Sequence, residues 1–233
     1  MEAEKLLKFG KGNLKLKNKE ITFSLPAGFS CPCALDCLSK ADKTTGKITD
    51  GKHTKFRCFA ASDESRYKNT RSARWHNFEI LKGKNSSEIC NLIHLSLPAR
   101  AKIVRIHVSG DFFNLEYFKG WIAAARLRPD TIFYAYTKSL HFWAQLKQEI
   151  PDNLVLTASK GGRLDYLISQ YNLRYAEVVF SEAEAAALQL PIDNDDSIAQ
   201  NPQSGNFALL LHGTQAKDSK AAEALRIIKK SKS

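Results

Sequence analysis

Four cysteines fall within a stretch of 28 residues: Cys31, Cys33 and Cys37 in the run CPCALDC, then Cys58 after twenty intervening residues. Thiolates bind soft or borderline metals, and three or four of them suit zinc or an iron–sulfur cluster. The spacing is not that of a zinc ribbon, which needs two CxxC pairs, and it lacks the histidine pair of a zinc finger. Unligated structural cysteines are the bland alternative. The chain has five cysteines, an odd number bunched near one end, which argues against a disulfide framework and for a reducing compartment with a bound metal. The fifth, Cys90, sits in an expected helix over 88–97 and reads as a small buried hydrophobe.

A second group of residues emerges once strands are assigned, because polar residues gather where each strand ends. These ends read Ser109-Gly110-Asp111, Tyr136-Thr137-Lys138-Ser139, Ser159-Lys160-Gly161-Gly162-Arg163, Ser181-Glu182 and His212-Gly213-Thr214. Gly110, Gly161 and Gly162 permit close backbone approach to a ligand. Ser159 to Gly162, just before a helix, suits a phosphate or carboxylate at the helix N-terminus. Loop residues are polar in most proteins, so no one of these ends carries the argument alone.

The elements that must position these groups are regular from residue 102 onward. Alternating β-branched residues predict a strand over Ile103–Ser109. Asn114 can cap a helix ending near Pro129, with Leu115, Phe118, Ile122 and Ala125 at helical spacing. Further strands are expected at 131–137, 154–159, 176–181 and 207–213. Helices are expected at 141–149, 163–170, 182–188 and 219–230. With an earlier strand at 21–25 this makes six strand–helix units. Alternation at that spacing implies α/β architecture with parallel strands and right-handed crossovers. A partial (βα)6 barrel is the preferred form, and a doubly wound open sheet also satisfies the pattern. In both, the loops after strand C-termini form the active face. Two stretches break the rhythm. Residues 38–57 read as a long loop or small hairpin, and 190–205, acidic and Pro/Asn-rich, as a mobile loop. Trp121 and Trp143 are expected in the core, with His141 and Phe142 packing a helix, and His107 is expected to be a satisfied core histidine.

Composition sets the frame. The 233 residues are 43% hydrophobic and 25% charged, with a net charge of +11, which fits a folded globular chain and excludes disorder as the main state. One α/β domain over 1–233 is expected, with a cysteine-rich basic insertion at about 38–86. No apolar run reaches membrane-spanning length and Met1–Gly10 lacks an apolar signal core, so no membrane association and a cytoplasmic location are expected. The charge is uneven: residues 38–86 carry +7, whereas 87–215 sum to −2. A solvated lysine-rich surface explains this blandly. The sharper reading is a polyanion-facing patch at Arg57, Arg66, Arg71, Arg74 and Trp75, since Arg suits phosphate and Trp can stack on a base.

Three segments together carry a family resemblance: FSLPAGFSCPCALDCLSK, TKFRCFAASDESRYKNTRSARWHNF and RIHVSGDFFNLEYFKGWIAAARLRPDTIFYAYTKS. Over roughly residues 20–140 the chain resembles the phage proteins grouped as the gene-product-88 family, and more distantly the radical S-adenosylmethionine enzymes. The family pattern is matched by Cys31-Pro32, Cys37 and Cys58-Phe59-Ala60. The chain departs from it by the twenty residues before Cys58 and by Cys33, which is either a fourth ligand or a bystander. It also departs from the CxxxCxxC spacing of the radical enzymes, since position 40 is Lys. The resemblance implies a [4Fe–4S] cluster on Cys31, Cys37 and Cys58 with one iron open to S-adenosylmethionine. Ser109-Gly110-Asp111 would face the cofactor's amino group. Lys138, Ser159, Lys160 and Arg163 would face its carboxylate or the substrate, a nucleic acid or nucleotide.

Two other classes compete with this expectation. In one, a zinc or closed iron–sulfur site staples a basic nucleic-acid-binding region to the scaffold without chemistry. In the other, the protein is a structural or interaction component. Fold alone does not choose among the three.

Overall fold

The computed structural model describes residues 6–12 and 20–230. In chain order the elements are β1 (Gly10–Lys11), β2 (Ile21–Ser24), β3 (Ser39–Ala41), β4 (Ile48–Asp50), α1 (Phe59–Arg66), α2 (Lys68–Leu81) and α3 (Ser86–Ser96). Then follow β5 (Ile103–Ser109), α4 (Leu115–Arg126), β6 (Ile132–Thr137), α5 (Leu140–Gln145), β7 (Leu154–Ser159) and α6 (Tyr166–Gln170). The chain closes with β8 (Tyr175–Val179), α7 (Glu182–Ala187), α8 (Ser197–Gln200), β9 (Phe207–Leu210) and α9 (Lys220–Lys230). The expected strand–helix alternation after residue 102 is present, with boundaries shifted by a few residues at most.

Seven strands form one sheet in the order β1-β2-β5-β6-β7-β8-β9. All neighbours from β2 to β9 are parallel, and only the two-residue edge strand β1 is antiparallel. The architecture is therefore mixed α/β with a mostly parallel sheet. The strands stand in chain order, with no reversal of direction across the sheet, so a doubly wound sheet is not what forms. The register runs evenly from Val104↔Phe133 to Phe133↔Leu154. It slips once, between β2 and β5, where Thr22 faces Arg105 but Ser24 faces Ser109. The two extra residues on β5 are absorbed around His107, whose φ of 64° is rare for a residue with a side chain.

Period-two alternation divides the sheet's side chains between two layers. On one face Val104, Ile106, Phe133, Ala135, Leu154 and Leu156 join α3 and α4 in the main core. Helix α4 forms because Asn114 caps it, its side chain accepting from the Tyr117 amide at 2.8 Å, and because Tyr117, Phe118, Trp121, Ile122 and Ala125 share its inner face. Its buried aromatics contribute roughly 1.5–3 kcal/mol each. Trp121 is in the core as expected, while Trp143 and Phe142 pack against its margin. Gly120 has no Cβ because one there would sit 2.4 Å from Ile89, so it brings α3 and α4 close.

On the other face Tyr134, Val155, Ala176 and Phe207 pack against Ala199 of α8. The acidic stretch 190–205 is thus seated on the sheet and held by buried polar groups, not left as a loose loop. Arg105 Nη1 meets Asp196 at 2.7 Å, and the Tyr134 hydroxyl donates to Glu20 at 2.6 Å. The Gln200 amide also donates to Glu20.

The loops that follow β2 and β9 meet at one short helix. From α1, Glu64 accepts from the Ala27 amide beyond β2 at 2.9 Å, and Ser62 donates to the Thr214 carbonyl beyond β9 at 3.0 Å. Eight helical residues span about 12 Å. Six strands in a flat sheet would separate β2 from β9 by about 24 Å. The loops that leave β2 and β9 nevertheless both reach α1.

Candidate functional site

The loop after β2 carries Cys31, Cys33 and Cys37 across the C-terminal end of the sheet. Its backbone is pinned over β7: Asp36 N–H donates to Gly161 O at 2.9 Å, Arg163 N–H to Cys33 O at 2.9 Å, and Ala34 bridges Gly162. Gly161 has φ +90°, and a side chain there would strike Asp36, so this crossing needs the glycine. Residues 38–57 fold into the β3–β4 hairpin and deliver Cys58 to the first turn of α1, its amide donating to Ser39 Oγ at 3.3 Å. The long insertion before Cys58 is therefore looped out, and its end returns to the other cysteines.

All five cysteines are free thiols. Burial raises the Cys31 thiol well above its ordinary pKa, and the charges of Asp111, Cys58 and Cys37 raise it further. Cys58 is pushed up to about 12 by burial and then by Cys37, while the Ala60 and Ala61 amides pull the other way. Cys31 therefore feels the charge of Cys37 and Cys58, and Cys58 that of Cys37. Cys33 belongs to a different neighbourhood. Its sulfur lies 3.9 Å from His141 Nδ1, and its pKa is raised by burial and Asp111 and lowered by Ser139 and Arg163. Among the described residues no group of three or more His, Cys, Asp or Glu side chains stands ready to hold a metal ion. Ligation by the three coupled thiols would require the 31–37 loop and Cys58 to draw together. Cys90 is buried in α3, away from this cluster, as expected of a small core residue.

The polar strand ends do meet at this mouth, but several of them are spent on holding it together. Asp111 Oδ1 accepts from the Phe112 amide at 2.7 Å and from Thr137 Oγ1 at 2.6 Å, and Oδ2 accepts from the Lys138 amide at 2.8 Å. Burial outweighs these bonds and lifts Asp111 to about 6. Lys138 Nζ donates to Ser159 O, Ser159 Oγ and Lys160 O at 2.6–2.9 Å. An ammonium has three N–H donors, so Lys138 has none left for a ligand. The expectation that Lys138 meets a cofactor carboxylate is corrected on that ground: Asp111 and Lys138 clamp the ends of β5, β6 and β7. Ser159 is half-exposed and Lys160 pairs with Glu177 at 2.7 Å, while Arg163 is exposed beside Cys33. Ser109 Oγ stands 3.4 Å from Glu64. Gly110, at φ +93°, has no room for a side chain against Leu25 and Ser30.

Sequence reading missed Glu64. It is wholly buried in α1, and its Oε1 accepts from the Ala27 amide at 2.9 Å and from Arg74 Nη1 at 2.8 Å. Its Oε2 has no hydrogen-bond partner, and burial raises its pKa above the usual carboxylate range. Its signal in the sequence was slight, a lone Glu in a polar run, since only the fold sets it against Ser109. His107 is only half satisfied: Nε2 lies 2.9 Å from the Tyr117 hydroxyl, whereas Nδ1 has no partner.

The expected cationic patch is dismantled by burial. Arg71 reaches the Lys43 and Thr44 carbonyls at 3.1 and 3.2 Å and the Glu64 carbonyl, which ties the hairpin turn to α1. Arg74 bonds Ala60 O and Glu64 at 2.8 Å each. Both are about 5% exposed, so neither faces a phosphate. Arg57 is paired with Asp50. Arg66 is exposed and donates to Thr214 Oγ1 at 3.1 Å. Trp75 is half-buried between Phe29 and Phe78.

No described helix is long and apolar enough to cross a membrane. Comparison with known proteins locates the chain. It is 26% identical over 194 residues to the Gene 88 protein of Mycobacterium phage L5, covering 74% of each chain. It is 25% identical over 186 residues to the Gene 88 protein of Mycobacterium phage D29, covering 70% of this chain and 68% of the relative. No solved structure matches. The family model described as Gene product 88 matches residues 3–230, and the chain belongs to that family.

Proposed function

We propose that Cys31, Cys37 and Cys58 hold an iron–sulfur cluster at the C-terminal mouth of a partial (βα)6 barrel, and that the protein acts on S-adenosylmethionine there. The strand order and the meeting of the loops after β2 and β9 on α1 support the barrel. The observation that carries the cluster reading is the donor set: three half-buried free thiols from two separate segments, Cys31 feeling the charge of Cys37 and Cys58, with the Cys33 sulfur beside His141 instead. Their burial and mutual repulsion disfavour three bare thiolates, and a soft cation in place of their protons removes that penalty.

In radical S-adenosylmethionine enzymes the cluster supplies the electron that cleaves the cofactor's carbon–sulfur bond. In this chain Cys31, Cys37 and Cys58 would be the ligands and Cys33 a bystander. Ser109, Gly110 and Asp111 line the place for the amino group, where Gly110 keeps the backbone approachable and Oδ2 of Asp111 still has acceptor capacity. Ser159, Lys160 and Arg163 remain for a carboxylate or substrate, and the Asp111–Lys138 clamp fixes the strand ends that carry them.

The test is iron, zinc and acid-labile sulfide content of anaerobically purified protein, followed by calorimetric titration with S-adenosylmethionine. About four irons and four sulfides per chain, lost in Cys37→Ala, and cofactor binding weakened in Asp111→Ala are expected. One zinc without sulfide would replace this reading with a metal-stapled module. Binding unchanged in Asp111→Ala would remove the amino-group assignment.

A further inference from the structure

Arg71 and Arg74, taken for part of a nucleic-acid patch, are buried, but the hairpin beside them presents another. Phe29, two residues before Cys31, is 41% exposed, unusual for a ring on a loop this well anchored. Its ring centroid lies 4.9 Å from that of Trp75. Lys40 Nζ stands 5.1 Å over Phe29 and Lys43 Nζ 5.0 Å over Trp75. Gly28 makes this approach possible: at φ +70° it has no Cβ, and one there would fall 2.6 Å from Lys40 Cγ. The result is a ledge of two aromatic rings edged by ammonium groups, on the rim of the thiol-lined mouth.

The surrounding charge is one-sided. Residues 38–57 hold six Lys or Arg against two Asp. Those two are engaged within the fold: Asp42 accepts from the Thr44 and Thr45 amides and from Thr45 Oγ1, and Asp50 pairs with Arg57. Nearby, Asp36 pairs with Lys55, and Glu79 is shared by Lys43 and Lys82. Among the described residues Lys40, Lys47 and Lys52 meet no carboxylate. A lysine-rich hairpin alone is a solvated surface. Lysines set around an exposed ring match what a single strand requires, phosphates neutralised beside a base that needs a flat partner.

We propose that the Phe29–Lys40–Trp75–Lys43 ledge, with Lys47 and Lys52, binds single-stranded nucleic acid and leads it to the cysteine mouth; only that destination rests on the cluster reading. An unpaired base stacks on Phe29 and displaces Lys40, whose ammonium then meets the adjoining phosphate. A duplex, with its bases already stacked, gains only the phosphate contacts.

The experiment is fluorescence anisotropy of the full-length protein with labelled dT20, U20 and a 20-base-pair duplex from 25 to 200 mM salt. Single strands are expected to bind more tightly than duplex. Log affinity should fall with log salt at a slope of about −2 to −3, as three or four neutralised phosphates give. The dT20 and U20 arms tell DNA from RNA as the source of the strand. Phe29→Ala is expected to weaken binding about tenfold with the slope unchanged, and Phe29→Tyr to restore it. Lys40→Glu with Lys47→Glu should weaken binding more than tenfold and flatten the slope. Cys31→Ala with Cys37→Ala should leave binding intact, so the ledge stands or falls separately from the cluster. No binding at 25 mM salt, equal affinity for duplex, or an unchanged Phe29→Ala would each overturn the proposal.

Discussion

Two buried polar regions lie at different places on the sheet. On the inner face of the sheet, the one covered by α8, Arg105 has its counter-charge in Asp196 at 2.7 Å, and the Tyr134 hydroxyl and Gln200 amide both turn to Glu20. At the mouth, burial and neighbouring thiols raise the pKa of Cys31 and Cys58, and Glu64 keeps one carboxylate oxygen without a partner. The first region gives its buried guanidinium a carboxylate and gives Glu20 two hydrogen-bond donors, all within the chain. The second gathers acidic groups beside Arg74 and Lys138, which are themselves engaged, Arg74 by Glu64 and Lys138 by the Ser159 and Lys160 carbonyls. Burial of partnered polar groups fastens segment 190–205 to the sheet, whereas at the mouth Cys31, Cys58 and Glu64 are buried at the cost of raised pKa values.

The comparison is broken most severely on the inner face. Asp196→Ala leaves the Arg105 guanidinium buried with its nearest counter-charge gone, a loss of about 3–5 kcal/mol. Urea unfolding would read this as a lower midpoint at unchanged slope. A loss below about 1 kcal/mol would mean that the inner face is wet and that 190–205 is dispensable. The strand-end clamp should respond less. Lys138→Met keeps the aliphatic stem and removes the donors to Ser159 and Lys160, which costs about 1–3 kcal/mol. The same variant should retain metal content. If it loses metal while remaining folded, Lys138 does more than clamp.

The two regions also differ in how legible they were. Strands β5 to β9 announce themselves by period-two alternation and their helices by period 3.6, because each element meets its neighbours through one face. The gathering of polar groups at strand ends followed from that alternation and the crossover rule. Other features depend on contacts between residues far apart in sequence. Arg71 and Arg74 look like surface cations because nothing local reveals that α2 packs against α1 and the β3–β4 turn. Segment 190–205 looks loose because its anchors, Glu20, Arg105 and Tyr134, lie 60 or more residues away. Polar composition marks a loop but does not say what it covers. The cysteines were legible as a chemical group, since thiols so spaced have few uses. Whether Cys33 joins them as a ligand or stands by was open in the sequence, because one residue of loop path decides it.

A pH series sharpens the contrast from a third position. Buried His107 has its pKa lowered to about 3. In the unfolded chain it takes a proton near 6.5, which the folded chain refuses until about 3. The unfolded state therefore binds more protons throughout that window, and stability falls as pH falls through it, by up to about 1.4 kcal/mol per unit. His107→Asn tolerates the positive φ and removes the titration, so its urea midpoint should vary less between pH 6.5 and 4.5. A parallel pH dependence in both proteins would place the acid sensitivity elsewhere.

The smallest expected effect bears most directly on the mouth. Without metal, Cys37→Ser should change stability by less than about 1 kcal/mol, because the half-buried thiol has no charged partner to lose. If the mouth resembled the inner face, removing one member would strand the others, and the loss would approach that of Asp196→Ala. The decisive quantity is the difference between loaded and unloaded protein. Reconstitution with iron and sulfide should raise the unfolding midpoint of the parent chain, since a ligand bound only by the folded state stabilises it by mass action. The Cys37→Ser chain should gain little. A midpoint that rises equally in both would show that the metal sits elsewhere, and the unmatched thiols would then need another explanation. A rise confined to the parent would show that their mutual repulsion in the unloaded chain is the counterpart of their affinity for a cation.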